Sequence, residues 1–165
     1  MSPIRTVSAF LLLALAACFP VAPQEPPGPS YYVMRHLEAQ QGPADPGLTA
    51  EGQRQATLLP SFFQGDPPRA IYVSSTRRAQ ETAAPLARAL GITPKVYDPA
   101  NTPALVQMVK AEPGPVLVIG HSNTVPDIVQ QLGGQRPEPI AHNQHGDIWH
   151  VSGIHLNTLR LTLGG

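Results

Sequence analysis

The sequence predicts a three-layer α/β sandwich built on a largely parallel sheet, and three observations predict it. Tyr31–Met34, Ala70–Val73 and Val116–Ile119 are short, unbroken apolar runs rich in β-branched or aromatic residues. Strands buried on both faces read this way, whereas strands with one wet face alternate. Between these runs lie stretches with helical spacing, so strand and helix signals succeed one another along the chain, the order expected of a parallel sheet with helical crossovers.

Each element follows from its residues. Tyr31–Met34 opens the fold. Thr49, with Gly52 and Gln53 behind it, starts a helix that extends to about Gln64 and is kinked or shortened at Pro60. After the Ala70–Val73 strand, Ala79, Ala83, Leu86 and Leu90 recur at steps of four, three and four, one apolar face of a helix. Lys95–Tyr97 reads as a short strand. Thr102-Pro103 reads as an N-cap followed by proline in the first turn, ahead of "ALVQMVKAE". Val125, Ile128, Val129 and Leu132 form another stripe after the Val116–Ile119 strand. The tail segments "DIWHV" and "TLRLTL" read as two further strands.

The 165 residues favour one folded domain, and 42% apolar content is enough for a sizeable core. Lysine plus arginine equals aspartate plus glutamate at 11 each, so bulk charge gives no pull toward nucleic acid or anionic lipid. An anion must therefore be held by a local cluster. The first residues stand apart. After Arg5 an apolar run extends from Ala9 to Phe19; its eleven residues fall short of the roughly 20 that span a bilayer and match the core of a secretory signal. Residues 18–29, "CFPVAPQEPPGP", form a Pro-rich tether, so the folded domain is expected over 30–165. Cys18 is the sole cysteine, which excludes an intrachain disulfide.

The chemistry-bearing residues sit at the ends of the apolar runs. The first run ends in Arg35-His36. The second leads through Ser74 and Ser75 to Arg77 and Arg78 at a helix start, and the third ends in Gly120-His121. Ligands in open α/β sheets bind beyond the carboxyl ends of the strands. The three runs therefore deliver two histidines and two or three arginines to one edge. Guanidinium forks match phosphate oxygens and remain charged. A neighbouring arginine keeps an imidazole neutral and nucleophilic, while a second imidazole can donate to charge growing on a transferring group. The helix start after Ser75 is expected to aim N–H donors the same way. The chain contains neither Gly-rich nucleotide-binding loop.

Arg35-His36 with Glu38, the pattern Ser74-x-x-x-Arg78-Ala79-x-x-Thr82-Ala83 and Gly120-His121 together resemble the histidine phosphatase superfamily, the phosphoglycerate mutase-like fold. "LTAEGQRQA" (48–56) also resembles the family's segment after its first motif. The resemblance implies that His36 attacks phosphorus and becomes a phosphohistidine, that Arg35, Arg78 and His121 grip the phosphoryl oxygens, and that no metal or other cofactor takes part. It implies a phosphatase resembling the short phosphohistidine phosphatases in size. The expected partner is a phosphorylated small molecule or phosphoprotein. Asn123 and Arg77 are candidate substrate contacts, Asp98 a candidate proton donor, and Glu38 a candidate orienting group. Leu37 departs from the family's usual glycine or alanine and is expected to narrow the pocket mouth.

Leu15-Ala16-Ala17-Cys18 resembles the lipobox of bacterial lipoproteins. That resemblance implies cleavage after residue 17, lipidation of Cys18 and membrane attachment through it, with outer-membrane sorting in the envelope of a Gram-negative cell. Two alternatives accompany the phosphatase reading. One is a family member that only binds phosphorylated ligands. The other is a metal-binding envelope protein using His142, His145, Asp147, His150 and His155.

Overall fold

The computed structural model describes residues 28–42, 44–153 and 156–163; the leader, Cys18 and the tether up to residue 27 lie outside the described residues. The elements run β1 (Ser30–Arg35), α1 (Ala50–Ala56), α2 (Leu59–Phe62), β2 (Ala70–Ser74), α3 (Arg77–Leu90), β3 (Lys95–Tyr97), α4 (Thr102–Lys110), β4 (Val116–Gly120), α5 (Val125–Gln131), β5 (Asp147–Ser152) and β6 (Asn157–Thr162).

The six strands make one mixed, mostly parallel sheet in the order β3-β2-β4-β1-β5-β6. The pairs β1–β4, β2–β4 and β2–β3 are parallel, and the tail strands add antiparallel to β1. Alternation of side chains across the sheet divides the core in two. Tyr31, Val33, Tyr72, Val116 and Val118 pack under α4 and α5. Tyr32, Met34, Ile71, Val73, Leu117 and Ile119 pack under α1, α2 and α3. Both faces of the central strands are thus covered, which is why they read as unbroken apolar runs. Burying each such side chain contributes about 1.5–3 kcal/mol.

The helix after Thr49 breaks rather than kinks. Thr49 caps α1, its hydroxyl accepting Gly52 N–H at 3.0 Å, but Pro60 lies in the first turn of the separate α2. Proline has no N–H to give there, so it begins a helix more readily than it continues one. The cap of α4 also differs from expectation: Asn101, not Thr102, accepts Ala104 N–H, at 3.2 Å, and Thr102 is already helical.

Gly52 has a specific steric reason. A Cβ at this position would overlap the backbone oxygen of Glu38, two residues beyond His36, and lie 3.2 Å from the carbonyl carbon. Only glycine lets α1 press this closely on the segment that follows β1. Gly52→Ala must therefore move backbone rather than a side-chain tip. The expected outcome is a loss of about 1–3 kcal/mol in stability, measured as a lower thermal unfolding midpoint; an unchanged midpoint would show that this contact is not tight.

Candidate active site

Register brings the two histidine motifs together. In the parallel β1–β4 pair, Arg35 lies opposite Gly120, so His36 and His121 are the next residues out of adjacent strands. His36 N–H donates to Gly120 C=O at 3.0 Å and closes the sheet at this point. The imidazole centres stand 5.3 Å apart. Arg78 arrives from the first turn of α3, directly after β2, which flanks β4 on its other side. Its Nε–H donates to His36 Nε2 at 3.1 Å.

The hydrogen bonds decide the tautomer of His36. Nδ1 lies 2.7 Å from Leu37 C=O, which only accepts, so Nδ1 carries the proton. Nε2 is left with its lone pair, to which Arg78 points. Behind the ring, Thr82 Oγ1 accepts Leu37 N–H at 3.1 Å and donates to Arg78 C=O at 2.8 Å, tying the segment after β1 to α3. Thr82 is completely buried. His121 Nε2 lies 2.9 Å from Ser74 Oγ, which contacts Thr76 Oγ1 in turn. The serine of the second motif thus holds a histidine instead of facing solvent.

Arg35 is buried, and its guanidinium reaches across to the chain before β5. One terminal nitrogen donates to the carbonyls of Ala141, His142 and Gln144 at 2.9, 3.0 and 3.0 Å. Its Nε is buried with no hydrogen-bond partner. The loop is pinned from its other end by Asp147, whose carboxylate takes a fork from Arg160 at 3.0 and 2.8 Å and a bond from Gln144 Nε2 at 2.7 Å. His145 consequently stands with its ring centre 5.9 Å from that of His36.

These side chains line an open cavity of about 510 Å³, together with Glu38, Gln40, Gln41, Ser122, Asn123, His142 and Asn143. Asn123 is exposed among the lining residues. Four expectations are corrected. Asp98 is outside the cavity and accepts Ala100 N–H in a turn at 2.9 Å. It follows β3, which β2 and β4 separate from β1, and each strand spacing is about 4.8 Å. Arg77 turns away to pair with Glu81 at 2.6 Å, as a neighbour about 100° around a helix from Arg78 must. Leu37 does not narrow the mouth, because its side chain is wholly buried under α1–α3. The start of α3 is not open to a ligand either: Asp45 takes Arg77 N–H at 3.0 and 3.1 Å.

The histidine-rich tail is dispersed. His142 and His145 face the cavity, Asp147 is engaged by Arg160, and His150 stacks on Tyr32 at 4.0 Å with Nε2 2.8 Å from Ser30 Oγ. Among the described residues no cluster of three or more candidate ligands forms, and His155 lies outside them.

Burial first, then Arg35, His121 and Arg78, push the His36 imidazole down to about 3 despite its bond to Leu37. Burial, Arg78 and Arg35 push His121 down to about 4. Both rings are therefore neutral near pH 7. An imidazole in the unfolded chain titrates near about 6.5. Between that value and about 3 the unfolded state binds more protons, so stability falls as pH drops through this window. In phosphate-free buffer the unfolding midpoint is expected to fall between about pH 7 and pH 4, and to fall less in His36→Asn than in the parent. Identical slopes for the two proteins would contradict the neutral, buried imidazole.

The family model described as histidine phosphatase superfamily (branch 1) matches residues 32–100. The protein histidine phosphatase SixA, solved with tungstate, superposes with a TM-score of 0.64 at 21% identity over 81% of this chain and 96% of that one. The mycobacterial glucosyl-3-phosphoglycerate phosphatase Rv2419c, solved with inorganic phosphate, gives 0.60 at 15% identity over 81% and 95%. TTHB049 from Thermus thermophilus gives 0.55 at 19% over 81% and 99%. PE-PGRS family protein PE_PGRS11 of Mycobacterium tuberculosis is 46% identical over 57 residues, 34% of this chain; the match spans about a tenth of that protein's length. The α/β fold with its mixed, mostly parallel six-stranded sheet is therefore like that of the solved histidine phosphatases, and residues 32–100 carry the likeness to the histidine phosphatase superfamily, branch 1.

Proposed function

We propose that this protein is a phosphatase that hydrolyses phosphomonoesters or phosphoramidates through a phosphohistidine on His36. The observation that carries the reading is the state of His36: Nδ1 is committed as a donor to Leu37, and the Nε2 lone pair lies among two guanidiniums and a second imidazole. In the first step Nε2 forms a bond to phosphorus as the bond from phosphorus to the leaving group breaks. Arg78 transfers its donor from Nε2 to a phosphoryl oxygen, and Arg35 and His121 stabilise the remaining charge. Water then attacks phosphorus, the N–P bond breaks, and inorganic phosphate leaves with the ring restored. The similar SixA is named a protein histidine phosphatase and the similar mycobacterial enzyme a glucosyl-3-phosphoglycerate phosphatase, and an open cavity suits either a small molecule or a phosphoprotein.

His36→Ala is expected to lower hydrolysis of an aryl phosphate at least about a thousandfold. It should also remove the acid-labile phosphoenzyme trapped from the parent with labelled substrate. Turnover at the parental rate in this variant would end the proposal.

The enzyme is further proposed to act from the cell envelope, attached through a lipidated Cys18 with its folded part in the periplasm. The support is the eleven-residue apolar run and the Leu15–Cys18 sequence at its end. In cells, the full chain is expected in the membrane fraction and Cys18→Ser is expected to leave it. Equal partitioning of both would overturn the attachment.

A further inference from the structure

With Asp98 displaced from the cavity, the leaving group needs another proton source. Glu38 lines the cavity, but its carboxylate already takes the Thr49 hydroxyl at 2.8 Å. His145 has the better geometry. Its Nδ1 lies 3.1 Å from the carbonyl of His36, which only accepts, so Nδ1 carries a proton and Nε2 is the free proton-exchanging atom. The ring is half-buried on the cavity wall, beside the nucleophile, and the segment that carries it is tied down on both sides. Arg35 fixes the carbonyls of residues 141, 142 and 144, and Asp147 fixes Gln144.

From this juxtaposition we infer that His145 exchanges the proton with the leaving group, the task the sequence assigned to Asp98. The inference rests on the phosphatase reading above. As the P–O bond breaks, His145 Nε2–H donates to the departing oxygen, and the alcohol leaves neutral. In the second step Nε2 accepts a proton from the attacking water, and the imidazolium is restored. The charged and titratable groups facing His145 are Arg35, His36 and Glu38 from the end of β1 and beyond, and His142 from its own loop. Burial, then Arg35 and His142, outweigh the bond to the His36 carbonyl and the charge of Glu38, and hold the ring below the usual histidine range. A docked phosphoryl dianion reverses that balance by favouring the charged ring.

The test uses the full chain and a series of phosphate monoesters whose leaving groups run from p-nitrophenol to simple alcohols. His145→Asn keeps an amide N–H in the place of Nδ1 for the His36 carbonyl and loses the exchangeable proton at Nε2. It is expected to lose about a hundredfold in kcat/KM on alkyl phosphates and less than about fivefold on p-nitrophenyl phosphate. The dependence of rate on leaving-group pKa should steepen accordingly, and added imidazole should restore alkyl turnover in His145→Ala. A purely structural role lowers every substrate by the same factor. That uniform loss, or an unaltered leaving-group dependence in a variant with parental unfolding temperature, would overturn the inference while the phosphatase reading stands. Absence of turnover by the parent across the whole series would overturn both.

Discussion

The backbone bond from His36 N–H to Gly120 C=O is the constraint on which the site depends. It extends the β1–β4 pairing by one step beyond its last register pair, Arg35 with Gly120. Because parallel strands present their carboxyl ends at the same edge, the residue after each strand emerges beside its neighbour. Two imidazoles therefore meet without any long connection having to fold over the sheet. A shift of one residue in that register would turn every side chain of β1 to the opposite face, exchanging Val33 with Met34 between the two halves of the core. The hydrophobic pattern that stabilises the fold and the alignment of the site are the same constraint.

Electrostatics then builds on that alignment. Burial disfavours the charged form of the buried His36 ring and the half-buried His121 ring, and two guanidiniums beside them repel any proton the rings take up. Among the described residues the cations are only weakly neutralised. Among these residues the carboxylate nearest Arg78 is that of Asp45 at 3.9 Å, and Arg35 bonds to carbonyls. By contrast Arg77, one residue away, is paired with Glu81. The helix that supplies Arg78 thus separates a cation whose charge is spent on its own surface from one whose charge remains in the cavity.

Much of this was legible in the sequence, for identifiable reasons. Unbroken apolar runs marked the central strands because both faces are covered, and the residues ending them had to reach the ligand-binding edge. Arg35, His36 and His121 follow from that rule, whereas the choice of Arg78 over Arg77 and the role of each residue came from the resemblance to the histidine phosphatases. Strand order is not encoded locally, so Asp98, placed after a genuine strand, was assigned to the site although β3 lies at the far edge of the sheet. Asp45 closing the start of α3 and Leu37 turning into the core are likewise outcomes of tertiary packing. Glycine at 52 and threonine at 82 belonged to recognisable motifs, yet their tasks, a close backbone approach and a buried two-way hydroxyl, needed coordinates.

The histidine-rich tail shows the same limit from the opposite side. Spacing alone grouped His142, His145, Asp147 and His150 as possible ligands of one ion. A strand beginning at Asp147 sends His150 into a stack with Tyr32, and the loop before it is bent around the Arg35 guanidinium. One arginine therefore serves two elements: it leaves β1 at the site and also shapes the loop that forms the opposite wall. Replacing it would remove a charge and, at the same time, free three carbonyls and the position of His145. The loss cannot be apportioned between binding and structure by that substitution alone. His145, whose hydrogen bond to His36 goes to the backbone carbonyl and not to the reacting ring, allows the wall to be tested with the phosphate grip intact.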